Sequence, residues 1–337
     1  MSRHIGIAIL GAALATTAWG AEPAEKTTPF VNGLWLVQAF GKPEALSPER
    51  DVAVKAAVAR ALSKGGDLKP SALEDLMTES FSRRIGSRES LTPAEVQQLL
   101  ADAVPASRRE LGESLVEHLE YLATTLDMID PAHQAGGNEL VDWIVEHHRP
   151  GQPLQGICVC TGNSRRSVLM AVTANLAAAY TGLPEVRFTS GGTHPSACNE
   201  RTVRTLREIG VAIEPTGREA PQGSEGTPNP IYRIRWGRGE GSAFEMLEFS
   251  KRYDDPSNPR SDFVALMVCS EADASCPTVK GASERISMPY LDPKLYDGSR
   301  FEARKYAERR DDIGRLMLSV MLRARARLAQ AGRLASP

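Results

Sequence analysis

The sequence predicts a two-part protein, a small all-α domain followed by an α/β domain built on a parallel sheet flanked by helices. Three observations carry this. Over 47–148 apolar residues recur three and four apart, as in Val52, Val54, Ala57, Val58 and Leu62 and again in Leu111, Leu115, Leu119 and Leu122, which is the helix period. From about 154 onward short apolar runs alternate with amphipathic stretches, the order of strand and helix in a parallel sheet. Between the two lies Arg149-Pro150-Gly151-Gln152-Pro153, a turn-rich linker. At 42% hydrophobic and 24% charged the chain can bury a core, which excludes a disordered or collagen-like protein.

The first element is a targeting segment. Arg3 and His4 precede an uncharged run from Ile5 to Trp19, and small residues around Gly20 and Ala21 offer a cleavage point, so a secretory signal peptide over 1–20 and export, for example to a periplasm, are expected. The run is shorter than the ~20 residues a spanning helix needs, so no stable membrane span is expected after cleavage. A linker over 21–46 leads to the helical domain over 47–149. Its helix starts are marked by Ser71-x-x-Glu74, Thr92-Pro93-Ala94-Glu95 and Ser107-x-x-Glu110, each pairing a hydroxyl acceptor at the N-cap with a carboxylate three residues on. His118, His133, His147 and His148 have neither cysteine partners nor one-helix ligand spacing, so they read as helix-face and loop side chains and no metal is expected.

The α/β domain, 154–330, reads as a strand at 156–159, a helix at 165–180, a strand at 186–189, a helix at 199–209, a strand at 262–269 and a closing helix at 299–328. A segment rich in Gly, Pro and charge interrupts it. Within that segment 231–236 and 243–249 read as an inserted β-hairpin, at about 220–255, with Arg233 and Arg235 on its solvated face. Forty basic against forty-two acidic residues give a net charge of −2, so no general attraction to nucleic acid or anionic membrane is implied, and any anion site must be local. The five cysteines, Cys158, Cys160, Cys198, Cys269 and Cys276, are too few for a disulfide scaffold and all lie in the second half.

The local anion site is legible at Cys160-Thr161-Gly162-Asn163-Ser164-Arg165-Arg166-Ser167, between an apolar strand and an amphipathic helix. Five residues between Cys160 and Arg166 let the chain curl until successive backbone N–H groups and the first helical turn point at one spot before the sulfur. The thiolate is the nucleophilic form of cysteine, and a helix N-terminus and a guanidinium both stabilise it. Arg166 can grip two oxygens of a tetrahedral anion. Thr161, Gly162, Ser164 and Arg165 complete the cradle, Gly162 is expected to supply backbone freedom, and Asn163 and Ser167 are suited to bracing the loop, with the Ser167 hydroxyl donating to the sulfur.

Together with Ser190-Gly191-Gly192, the 199–209 helix followed by Gly210-Val211-Ala212-Ile213, the pair Cys269 and Cys276-Pro277, and Asp292-Pro293, this stretch resembles the low-molecular-weight protein tyrosine phosphatase superfamily. Within it, the thioredoxin-coupled arsenate reductase branch is the nearest in motif. The resemblance covers about 154–328. It implies a four-stranded parallel sheet, Asp292 as general acid on a late loop, and a thiol relay in which Cys160 attacks arsenate, Cys269 attacks Cys160 and Cys276 closes a disulfide on Cys269. It also implies an external dithiol reductant of thioredoxin type as partner, with no bound cofactor. Arg165 stands where such reductases carry a cysteine, and Ala171 where some relatives carry a potassium-binding glutamate. A phosphomonoester hydrolase would need only Cys160, Arg166 and Asp292, with water resolving the intermediate. A third expectation is a non-catalytic module binding an oxyanion or a phosphoprotein. Tyr290 and Tyr296 flank the late aspartate as candidate walls for a substrate.

Overall fold

The structure, a computed structural model, describes residues 105–334 apart from 124, 222–225, 239–243 and 276–277. The signal peptide, the linker, the helix starts at Ser71 and Thr92 and the second relay thiol, Cys276, lie outside the described residues.

At the centre is a parallel sheet of four strands in the order β2-β1-β6-β7. Strand β1 (Leu154–Cys160) pairs with β2 (Val186–Gly192) over its whole length and with β6 (Phe263–Met267) on the other side. Every side chain of β6 is buried, and because successive side chains point to opposite faces, both faces of the sheet are covered there. Strand β7 (Ala282–Ser287) closes one edge. Its sequence, Ala-Ser-Glu-Arg-Ile-Ser, is largely polar and only Ile286 is fully buried, which is why no strand was legible there.

The helices follow from the same patterns. Two short stretches, α1 (Ala106–Arg109) and α2 (Glu113–Ala123), precede α3 (Gln134–His147). Helix α4 (Arg166–Thr181) is buried on all sides, which suits its small-residue composition, and ends at Gly182 in the left-handed conformation, φ 83°. Helices α5 (Glu200–Glu208), α6 (Ser270–Ser275) and α7 (Glu302–Gln330) complete the set, with α7 packed along α4 and α3.

The first three helices belong to the same compact unit as the sheet, so the unit begins at Ala106 rather than after the linker at 149–153. The physical reason is at the end of α4. Ser107 Oγ donates to Ala179 O at 2.6 Å and Arg108 Nε to Tyr180 O at 2.7 Å, which ties α1 to the last turn of α4. Ser107 is therefore not an N-cap, in contrast to its spacing with Glu110; it lies inside α1.

The inserted segment is a second, antiparallel sheet of order β3-β4-β5. The expected hairpin is β4 (Pro230–Arg235) and β5 (Glu245–Glu248), and β3 (Ala212–Glu219) adds a strand that Pro215 and Gly217 hide in the sequence. Of the two arginines expected on the solvated face, Arg233 is exposed, whereas Arg235 is largely covered and pairs across the strands with Glu214 at 3.1 Å. The segment after β5 returns to the parallel sheet, where Gly192 N–H donates to Lys251 O at 2.8 Å and Tyr253 N–H to Gly192 O at 3.1 Å.

Candidate active site

The end of β1, the loop 161–165 and the start of α4 form one continuous turn at the carboxyl edge of the sheet, where open α/β sheets bind ligands. The loop's carbonyls face one way. Cys160, Thr161, Gly162 and Ser164 each accept from the segment 193–199, through the N–H groups of Thr193, His194, Ser196 and Asn199 at 2.8 to 3.1 Å. The N–H groups of 161–166, in turn, find no acceptor among the described residues. Backbone donors left open at a helix N-terminus are the signature of an anion cradle.

The curl depends on Asn163 rather than on Gly162. Asn163 has φ 42°, a left-handed conformation that asparagine tolerates better than most side chains, whereas Gly162 is absent from the positive-φ glycines of the chain. Asn163 is fully buried. Its Nδ2 donates to Ser167 Oγ at 3.0 Å and to Ser190 Oγ at 2.7 Å, and its Oδ1 accepts from Lys251 N–H at 2.8 Å. Gly192 must be a glycine for a separate reason. A Cβ there would sit 2.6 Å from Thr161 O and 2.8 Å from Asn163 N, so β2 and the loop could not approach.

Cys160 is 3% exposed, with its Sγ 3.1 Å from Ser167 Oγ. Arg166 lies beside it, largely buried. Its Nη1 donates to Tyr290 O and its Nη2 to Asp292 Oδ2, both at 2.9 Å, and its Nε–H has no partner among the described residues. Asp292 is held from the other side as well, since its Oδ1 accepts from Lys294 N–H at 3.0 Å where it caps the turn Pro293–Tyr296. Between these groups is a cavity of about 220 Å³, lined by Cys160, Thr161, Gly162, Ser164, Arg165, Arg166 and Asp292, with Ser196 and Lys294 in addition. The last two have no sequence signal. Asn163 and Ser167 do not line the cavity; they lie beneath it as braces.

Arg165 reaches the cavity wall but is committed elsewhere. Its Nε donates to the Tyr306 hydroxyl at 2.6 Å and its Nη2 to Asp297 Oδ2 at 2.9 Å, so it ties the late loop to α7. Tyr290 is 4% exposed and stacks on His133 with ring centroids 4.0 Å apart, and burial pushes its hydroxyl far above the usual tyrosine range. It supplies a backbone carbonyl to Arg166 rather than an aromatic wall. Tyr296 is on the surface.

No protein-family model matches the chain, and no curated protein is similar to it in sequence.

Cys269 lies two residues beyond the end of β6 and is buried. Its Sγ accepts from Ala272 N–H at 3.4 Å and lies 3.5 Å from Thr161 Oγ1, while burial pushes the thiol above its ordinary value despite those contacts and Arg166. Cys158 and Cys198 are buried thiols whose ionisation is strongly opposed by desolvation, and neither reaches the cavity. Among the described residues no group of three or more His, Cys, Asp or Glu side chains could hold a metal ion.

Proposed function

We propose that the chain is a cysteine-dependent enzyme acting on tetrahedral oxyanions, with Cys160 as nucleophile, Arg166 as anion clamp and Asp292 as general acid, in the manner of the low-molecular-weight phosphatases its motifs resemble. The observation that carries the reading is one cavity lined by Cys160, the loop and Arg166, where the loop N–H groups and the buried Arg166 Nε–H have no acceptor among the described residues. An oxyanion in that cavity would be gripped by donors that are already oriented. Cys160 attacks the central atom, its charge supported by the Ser167 hydroxyl, and the spreading negative charge of the transition state falls on Arg166 and the loop amides. Asp292 is the acid among the lining residues, and it hands a proton to the departing oxygen. For a phosphate ester, water then resolves the cysteinyl phosphate.

A second reading, arsenate reduction, is favoured by the Cys269 thiol one hydrogen bond from the loop. There Cys269 Sγ attacks Cys160 Sγ, arsenite leaves with the bonding pair, and Cys276 then forms a disulfide with Cys269 that an external dithiol of thioredoxin type reduces. A small oxyanion or phosphorylated molecule is the substrate class in both readings, and an exported setting follows from the N-terminal sequence pattern.

Two assays side by side test this, aryl phosphate hydrolysis and dithiol-dependent arsenite release, on the wild type, Cys160→Ser and Cys269→Ser. Loss of both activities in Cys160→Ser is expected. Hydrolysis surviving in Cys269→Ser while arsenite release disappears would identify the relay, and turnover persisting in Cys160→Ser would reject the proposal.

A further inference from the structure

The inserted antiparallel sheet and the segment that leaves it send two charged residues inward, where charges are costly. Glu248, at the end of β5, is 0% exposed and Lys251 is 2% exposed, with Lys251 Nζ 3.6 Å from Glu248 Oε1. Both are joined to the nucleophile's loop. Ser190 Oγ donates to Glu248 Oε1 at 2.6 Å, and the Lys251 N–H donates to Asn163 Oδ1. Ser250 Oγ adds a bond to Gly162 O at 3.0 Å.

Hydrogen-bond polarity runs through this network in one direction. Ser190 gives its single proton to Glu248 Oε1, so toward Asn163 it can only accept. The Lys251 N–H fixes which end of the Asn163 amide is oxygen, so Nδ2 faces both serines. One Nδ2 proton goes to Ser190 and the other to Ser167. Ser167 thereby has its oxygen occupied as acceptor, and its own proton is directed to Cys160 Sγ.

We infer that the inserted sheet is a positioning device for the nucleophile, in which Glu248 and the Lys251 backbone clamp Asn163 from its two ends so that Ser167 donates to the Cys160 sulfur. The inference rests on Cys160 being the reactive group of the proposed function. Glu248 is a positioning residue, since it reaches the sulfur only through Ser190, Asn163 and Ser167. The ionisable groups nearer the sulfur are the thiols Cys158 on β1 and Cys269 after β6, and Arg166 on α4 with its ion-pair partners Asp292 on the late loop and Glu271 on α6, and none of them is altered in the test below.

The test is the rate of Cys160 alkylation by iodoacetamide in the full chain between pH 5 and 9, measured as the signal lost in Cys160→Ser, with thermal unfolding as the check on folding. Glu248→Leu is expected to slow alkylation near neutral pH about tenfold, the equivalent of one hydrogen bond to a charged group, and to move the profile to higher pH. Ser190→Ala, which leaves the inserted sheet and its charges in place, is expected to slow it at least threefold. Glu248→Gln keeps an acceptor oxygen for Ser190 and is expected to stay within about twofold of the wild type. The exposed Glu214→Gln change on the same sheet should have no effect. Wild-type reactivity in Ser190→Ala, or a fall in Glu248→Gln as large as in Glu248→Leu, would overturn the inference; if Glu248→Leu fails to fold, those two variants decide. A wild-type Cys160 that does not react at all would instead reject the proposed function.

Discussion

Replacing Asn163 by alanine should be among the most damaging single changes outside the cavity, and its cost can be built up from contacts. Asn163 makes three buried hydrogen bonds, to Ser167 Oγ, Ser190 Oγ and Lys251 N–H. Each is worth about 1 kcal/mol net, and the Lys251 N–H, left without an acceptor, adds a further penalty of about 1 kcal/mol or more. Alanine at φ 42° also pays about 1 kcal/mol for the left-handed backbone. The expected loss is about 4 to 5 kcal/mol, a large share of the ~5–15 kcal/mol that holds an ordinary domain. Asn163→Gly should recover about 1 kcal/mol of it, because glycine removes the backbone strain and restores no hydrogen bond. Urea unfolding of the two variants beside the wild type measures both quantities. A loss below about 1 kcal/mol in Asn163→Ala, or a glycine variant no more stable than the alanine one, would refute the reasoning.

Other outcomes follow from single contacts. Gly192→Ala places a methyl group 2.6 Å from Thr161 O, so the loop must move, and turnover should fall at least tenfold for a stability loss of about 1–3 kcal/mol; wild-type kinetics would contradict this. Burial lowers His118 from an ordinary 6.5 to about 4, outweighing the opposing pull of Asp311 at 3.4 Å. The unfolded chain therefore takes up this proton first as pH falls. Stability is fully present above about 6.5 and is lost down to about 4, by roughly 3 kcal/mol, and His118→Gln should flatten that part of the profile in urea titrations at pH 7 and 4.5. Because burial raises the Cys269 thiol, any step in which it attacks should accelerate from pH 7 to 9; a rate of dithiol-dependent arsenite release that is flat across that range would contradict this. If residues 1–20 act as a signal peptide, intact-mass analysis of the protein purified from its native host should show cleavage near Gly20; retention of Met1 would count against it.

The sequence made the centre of the site legible because its signal is local. An apolar strand, a Cys-x5-Arg loop and a helix are consecutive, so Cys160 and Arg166 needed no tertiary information to be placed together. Asp292 came through resemblance, and the fold brings its carboxylate to 2.9 Å from Arg166 Nη2. What escaped was non-local or weakly patterned. Strand β7 carries few apolar residues, β3 contains Pro215 and Gly217, and Ser107 looks like a cap until the end of α4 is seen beside it. Glu248 and Lys251 carry no signal of their own in a segment rich in Gly, Pro and charge. Only the return of the segment after β5 to Gly192 shows that they point inward. Arg165 was grouped with the anion binders because it adjoins Arg166, and its actual partners, Tyr306 and Asp297, lie more than a hundred residues away.

The most direct measurement is rapid-quench trapping of the enzyme during turnover of a labelled aryl phosphate, followed by mapping of the modified residue. Label is expected on the peptide bearing Cys160, absent from Cys160→Ser and strongly reduced in Arg166→Ala. Undiminished hydrolysis with no labelled Cys160, or label that persists in Cys160→Ser, would contradict it.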